Sequence, residues 1–288
     1  YIRFWRGNNS WIHYGKDRWV HLWKKVMNIV FYGGGNIAQA FIEGLINSGY
    51  KQNNIFYIDR NLKNKNKLKK LKIRSFNNKK SLKIDLFILA VKPKDAIHAY
   101  KDILKNYKNP KIISFVAGIK TNKYKNINKK IEFLRAMPNT SSKFNLGITA
   151  IYNSSFKKTN LLKVISLFKK VGIVMQLEKE SKIDTFTGLI GSGPAYFFHL
   201  LKIYEKKLLT LCNGNRKEVN AIIVNLMKGV GLSIKDGKDL DALIMKVASK
   251  KGTTEAGLKS FKSSSINKIF EQGLNAAIKR YKEISNEY

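Results

Sequence analysis

At 288 residues with 44% hydrophobic side chains, the chain is long enough to bury cores for two domains of ordinary size. No stretch approaches the roughly 18 uninterrupted apolar residues of a membrane-spanning helix, and the one cysteine, Cys212, excludes a disulfide framework and a thiolate metal site. The formal charge of +36 would ordinarily point to nucleic acid, but the lysines are dispersed.

Lysines fall on turns and helix faces, as at 63–72 and 123–130, and form no single stripe interleaved with stacking aromatics. The accompanying asparagine, isoleucine, tyrosine and phenylalanine are the bias that AT-rich codons produce. A solvated basic surface is therefore expected, with non-specific attraction to polyanions at low salt and no specific nucleic-acid partner. Cys212 ends the apolar run Leu208 to Cys212 and reads as a buried, inert thiol. His13, His21, His98 and His199 lack i, i+4 spacing and stand beside no acid or cysteine, so no metal site is expected.

In chain order, residues 1–26 are rich in tryptophan and arginine and lack the patterns of signal and transit peptides, so they read as an extension. Met27 stands directly before the first β-type run and is the expected natural start; without a targeting signal, a cytoplasmic location is expected. From 28 to about 177, short β-branched and aromatic runs alternate with amphipathic stretches. That pattern predicts a parallel sheet with crossover helices. The candidate strands are 28–32, 54–58, 84–91, 111–115, 131–135, 147–152 and 172–177. The run from Ile84 to Val91 is nearly all apolar, as a central strand covered on both faces requires. After 178 the strand signals fade and long helical patterns take over, notably at 195–212 and 216–235. The expected organisation is an extension at 1–26, an α/β dinucleotide-binding domain at 27–177 and an all-helical domain at 178–288.

The first strand runs into Gly33-Gly34-Gly35-Asn36-Ile37-Ala38, which opens an amphipathic helix predicted to reach Ser48. Here Gly33 suits a tight turn, Gly35 lets backbone approach a pyrophosphate, and Ala38 allows helix to pack closely on strand. The amides of the helix N-terminus, with Asn36 and Ile37 in its first turn, would face the phosphates. About 20 residues on, Asp59 suits ribose hydroxyls and Arg60 a 2′-phosphate, so the pair admits either NADH or NADPH.

Five further segments, in order, resemble the pyrroline-5-carboxylate reductase family. They are Ala90-Val91-Lys92-Pro93, Ser114-Phe115-Val116-Ala117-Gly118, Arg135-Ala136-Met137-Pro138-Asn139-Thr140, Gly191-Ser192-Gly193-Pro194-Ala195-Tyr196 and the signature from Ser249 to Leu258. The resemblance spans roughly 27–275. It implies a Rossmann domain followed by an all-helical dimerisation domain, dimers that assemble further, and hydride transfer from NAD(P)H to pyrroline-5-carboxylate to give L-proline. Carried over by position, Thr254 would be catalytic, its hydroxyl bonded to the imine nitrogen, and Ser249, Gly252 and Thr253 would hold the substrate carboxylate. Asn77, Ala90, Val91, Lys92, Pro93 and Ala117 match positions near the cofactor.

The chain departs from the family at three places. Ser141 replaces a proline, Leu243 to Val247 lacks a usual acid, and Lys250 and Lys251 stand where the family signature has proline and glycine. If position 251 requires positive φ, lysine there is strained by about 1 kcal/mol. The bare threonine-glycine segment also reads as a plain helix N-cap, a role compatible with binding a carboxylate. Beside a folded homologue made inactive by the two lysines, the chain admits two other readings. One is a β-hydroxyacid dehydrogenase type of Rossmann reductase, for which no GxxxxxxK helix appears after Gly191. The other is a basic nucleic-acid-binding protein with a degenerate dinucleotide fold.

Overall fold

The computed structural model describes residues 3–6, 10–13, 26–77, 82–235, 237 and 239–288. The expectation for residues 1–26 falls largely outside them. Within that stretch, β1 (Arg3–Arg6) pairs antiparallel with β2 (Ser10–His13). The chain divides into two units, one of residues up to Thr187 together with Tyr281–Tyr288, the other Gly188–Arg280.

The first unit is built on an eight-stranded sheet. Its strands are β3 (Ile29–Tyr32), β4 (Ile55–Ile58), β5 (Arg74–Ser75), β6 (Leu86–Leu89), β7 (Lys111–Ser114), β8 (Glu132–Met137), β9 (Gly147–Asn153) and β10 (Gly172–Gln176). Their spatial order is β10-β9-β8-β7-β6-β3-β4-β5. Numbered from β3, the first six strands lie in the order 3-2-1-4-5-6 of a Rossmann fold. The chain reverses direction of travel across the sheet between β3 and β6, which pair in parallel with Ile29 opposite Leu86. A crevice outside the carboxyl ends of those two strands is where such sheets take ligands.

All seven strands expected from the sequence form, with ends shifted by a few residues. The expected parallel sheet forms except at one place, where β9 runs antiparallel to β8, with Leu134 opposite Asn153. The connection between them is a single 3₁₀ turn, Thr140–Phe144, ended by Asn145 in a left-handed conformation at φ 59°. A parallel return needs a crossover of a dozen or more residues, which this link does not supply. The two-residue β5 gives no periodicity to read and was not anticipated.

Alternation along the strands explains why both faces are covered. Ile29 and Phe31 of β3 enter one core cluster and Val30 the other, and Leu86 and Ile88 of β6 face away from Phe87 and Leu89. On the first face lie α1 (Asn36–Asn47), α2 (Leu62–Lys70) and α5 (Lys158–Lys169), through Phe41, Leu68 and Phe168. On the second lie α3 (Pro93–Asn106) and α4 (Thr121–Lys125), through Tyr100 and Tyr124. Only Leu68 of α2 is buried, so its lysines are solvated as expected. The short α6 (Lys182–Phe186) closes this part of the chain.

The second unit is helical. It comprises α7 (Gly193–Leu211), α8 (Arg216–Lys235), α9 (Leu240–Val247), α10 (Thr253–Ser263) and most of α11 (Ile266–Glu287), whose last turns belong to the first unit. Pro194 takes the first turn of α7, where its missing N–H costs nothing. Cys212 is buried at the end of α7, as the sequence suggested. Apart from glycines, Cys212 and Val219 are the only residues buried among those described in this unit. Phe198, Leu232, Met245, Val247 and Ile269 are each more than 60% exposed.

The ring of Phe41 sits against Phe168 at 5.0 Å and Phe115 at 5.1 Å, centroid to centroid. This cluster fixes α1 on the sheet. Phe41→Ala is expected to cost about 3–5 kcal/mol, read as a lower denaturant midpoint at unchanged m-value; a loss under about 1 kcal/mol would contradict the packing described.

Candidate functional site

The glycine loop joins β3 to α1 at the carboxyl edge of the sheet. Gly33 has φ 102°, and a Cβ there would stand 2.4 Å from the Ala90 carbonyl oxygen and 2.8 Å from the Val91 nitrogen. No other residue fits. The loops after β3 and β6 are thereby pressed together at the point where the strand order reverses. Ladder bonds continue into both loops, from Gly33 N–H to the Ile58 carbonyl at 2.8 Å and from Ala90 N–H to the Tyr32 carbonyl at 2.7 Å.

Gly34 is held at both ends of its peptide unit. Its N–H donates to Asp59 Oδ2 at 2.6 Å, and its carbonyl accepts from the buried Gln39 side chain at 2.6 Å. Asp59 also accepts from the Asn61 N–H at 2.6 Å and the Asn64 amide at 3.0 Å. Both carboxylate oxygens thus serve the loop and the start of α2, which Asn61 caps. Gly35 differs from its neighbours, because a Cβ there would meet nothing within 4 Å. It is the N-cap of α1, no side chain caps that helix, and its first turn has no acid. Asn36 is exposed and Ile37 half-buried at this uncapped end. Open space beside backbone amides at the positive end of a helix suits a phosphate group.

Other expected residues surround this loop. Lys92 is the N-cap of α3 and Pro93 its first residue, carrying the chain away from Ala90 and Val91. Arg60 is largely exposed, its Nη2 3.0 Å from Asp95 Oδ1 in the first turn of α3. An exposed pair of this kind adds little stability but aims the guanidinium. Ala117 is half-buried in the loop after β7. Asn77 stands exposed beyond β5, its Oδ1 accepting from the Ser75 hydroxyl at 3.5 Å. It lies two strands from the reversal point. Gln39 and Asn64 were not anticipated; Gln39, four residues beyond Gly35 on α1, is the one with a legible position.

The signature segment belongs to the helical unit. Gly252 is the N-cap of α10, with no side-chain cap, so Thr253 and Thr254 are its first two helical residues and the threonines do not act as caps. The Gly252 N–H bonds the Ser249 carbonyl at 3.0 Å, and a Cβ on Gly252 would stand 2.4 Å from Ser249 Oγ. The serine hydroxyl and the open helix end therefore lie side by side. Lys251 has φ 61°, the strained left-handed conformation that the family's glycine would relieve. Its N–H donates to Glu255 Oε2 at 2.6 Å, and Lys259 pairs with the same carboxylate at 3.3 Å. Those two contacts, the backbone bond first, hold the Glu255 carboxyl below its ordinary range.

Gly33→Ala is expected to lower the melting temperature sharply, since the added methyl meets backbone rather than a movable side chain. Lys251→Gly is expected to raise stability by about 1 kcal/mol, measured by denaturant unfolding. A destabilised glycine variant would contradict the backbone conformation at that position.

The family model described as pyrroline-5-carboxylate reductase dimerisation matches residues 180–284, and the one described as NADP oxidoreductase coenzyme F420-dependent matches 28–118. Pyrroline-5-carboxylate reductase of Staphylococcus epidermidis is 31% identical over 271 residues, covering 91% of this chain and 99% of that protein. That of Staphylococcus aureus is 32% identical, covering 90% and 98%. Among solved structures, a pyrroline-5-carboxylate reductase from Coxiella burnetii superimposes with a TM-score of 0.78 at 28% identity, over 91% of this chain and 99% of that one. A Plasmodium falciparum pyrroline carboxylate reductase with NADP bound shares the fold, with a TM-score of 0.78 at 23% identity over 90% and 98%. A relative above 30% identity matched over nearly its whole length, on a sheet reversing at the glycine loop, places the chain in the pyrroline-5-carboxylate reductase family.

Proposed function

We propose that this chain is a pyrroline-5-carboxylate reductase, reducing the cyclic imine to L-proline at the expense of NADPH or NADH. The observation that carries the reading is family membership over nearly the full length of the relatives, supported by the helix N-termini without side-chain caps at the glycine loop and at α10.

The cofactor cradle is Gly33, Gly35, Asn36 and Ile37, with the uncapped amides of α1 taking the pyrophosphate. Asp59 acts mainly through Gly34, fixing the loop before any cofactor arrives. Arg60, exposed beside a helix of lysines without an acid in its first turn, suits a 2′-phosphate, which favours NADPH. Asn77, Ala90, Val91, Lys92, Pro93 and Ala117 are assigned to the border of the cofactor site. When bound, the reduced nicotinamide supplies a hydride.

Substrate handling falls to α10. The Ser249 hydroxyl, the Thr253 amide and the helix dipole take the carboxylate, and Gly252, its own N–H bonded to the Ser249 carbonyl, lets the group approach the helix end. The Thr254 hydroxyl bonds the ring nitrogen and fixes the orientation of the imine. The imine nitrogen takes a proton as its carbon gains the hydride, so orientation and proton supply are the main demands on side chains. Lys250 and Lys251 add positive charge near the carboxylate site. A homodimer is part of the same proposal, supported by the dimerisation model at 180–284 and by the exposed apolar side chains of the helical unit. Assembly of dimers into a larger oligomer is proposed on the resemblance alone.

The test is oxidation of NADPH and NADH by the purified chain with pyrroline-5-carboxylate, beside Thr254→Ala and Arg60→Ala. Imine-dependent oxidation is expected, falling about tenfold to a hundredfold in Thr254→Ala, the worth of one hydrogen bond to a charged group. Arg60→Ala is expected to raise the KM for NADPH about tenfold and leave NADH unchanged. Cofactor binding with no imine-dependent oxidation would overturn the reading.

A further inference from the structure

Residues that the glycine loop and the signature do not explain meet beside the loop that follows β7. Arg135 of β8 is fully buried, its Nη1 2.9 Å from Glu180 Oε1 and its Nη2 donating to the Tyr281 hydroxyl at 3.0 Å. Glu180 also accepts from the backbone N–H and the hydroxyl of Thr121, each at 2.8 Å. The Tyr281 oxygen accepts a second bond, from the Gly118 N–H at 3.1 Å. Gly118 has φ 79°, and a Cβ there would stand 2.9 Å from Ile284 Cγ2.

The last turns of α11 thus grip Gly118 by a hydrogen bond and by close packing, although Tyr281 follows Gly118 by 163 residues. The other end of the loop is tied by Ser114, whose hydroxyl accepts from the Val116 N–H at 3.2 Å and meets the Tyr124 hydroxyl at 3.3 Å. An ion pair with its arginine buried and its glutamate partly exposed is a poor source of stability, since apolar residues of equal volume often do as well. What it supplies is a fixed position. The backbone groups that this network holds, at Gly118 and Thr121, flank the turn between β7 and α4 at the ligand-binding edge of the sheet.

We propose that Tyr281 and Arg135 are positioning residues for the cofactor site, holding the Val116–Gly118 loop, and Ala117 within it, where a nicotinamide cofactor requires it. This rests on the reductase reading. The C-terminal turns of the last helix are then a working part of the dinucleotide-binding unit.

The experiment compares the full-length parent with Tyr281→Phe, which keeps the ring, and Glu180→Gln, which keeps the volume but removes the charge facing Arg135. NADPH dissociation constants come from titration calorimetry, KM values for both substrates from steady-state rates, and melting temperatures from circular dichroism. Tyr281→Phe is expected to weaken NADPH binding about tenfold while the imine KM changes less than about twofold. Glu180→Gln is expected to shift the same parameters in the same direction, and it serves alone if the tyrosine variant does not fold. Parent-like NADPH affinity in a folded variant would overturn the proposal, as would an equal loss in every parameter tracking the melting temperature. A parent that binds no NADPH would instead overturn the reductase reading.

Discussion

The contact between Gly33 and the Ala90 peptide constrains everything around it. Two loops leave adjacent parallel strands and must diverge to opposite faces of the sheet, yet their backbones meet with no room for a single methyl group. That closeness leaves α1 starting at the sheet edge with its amides uncapped and open space beside Gly35. The open, uncapped end of α1 is therefore a consequence of strand order and one missing Cβ. The aromatic packing of Phe41 behind it keeps α1 from relaxing away.

Asp59 illustrates how a residue at the expected place does more than expected. An acid at the end of the second strand suggests a ribose contact, but the carboxylate already takes three donors from Gly34, Asn61 and Asn64. It joins the glycine loop to the cap of α2, so the loop is set before a ligand is present. Preorganisation of this kind lowers the entropy lost on binding. It also leaves Arg60, largely exposed and paired only with Asp95 among the ion pairs of the described residues, as the more accessible of the two neighbouring charged groups.

Much of this was legible in the sequence because it is local. Strand runs such as Ile84 to Val91, the glycine loop and the extents of α7 and α8 come from patterns that neighbouring residues impose. The strain at Lys251 was legible too, as a lysine where a glycine belongs, and its φ of 61° bears that out. Direction and distance were harder to read. The reversal of β9 depends on the brevity of the link after Met137, which strand propensity does not register. The return of Tyr281 to Gly118 is a contact across most of the chain, between a residue inside a long helical pattern and a loop. Nothing in the periodicity of α11 marks its last turns as different from the rest.

The helical unit presents the opposite economy from the sheet. Its apolar side chains lie exposed along α7, α8 and α9, whereas the sheet buries nearly all of its own. Surface of that kind is expected where a second copy of the chain completes the core. The central claim, that the chain passes a hydride from a nicotinamide cofactor to a cyclic imine, is tested most directly by following the hydride. Reduced NADP deuterated at the transferred position of C4, supplied with pyrroline-5-carboxylate, is predicted to yield proline carrying a single deuterium on the former imine carbon. Unlabelled proline, or no proline from enzyme saturated with cofactor, would contradict it.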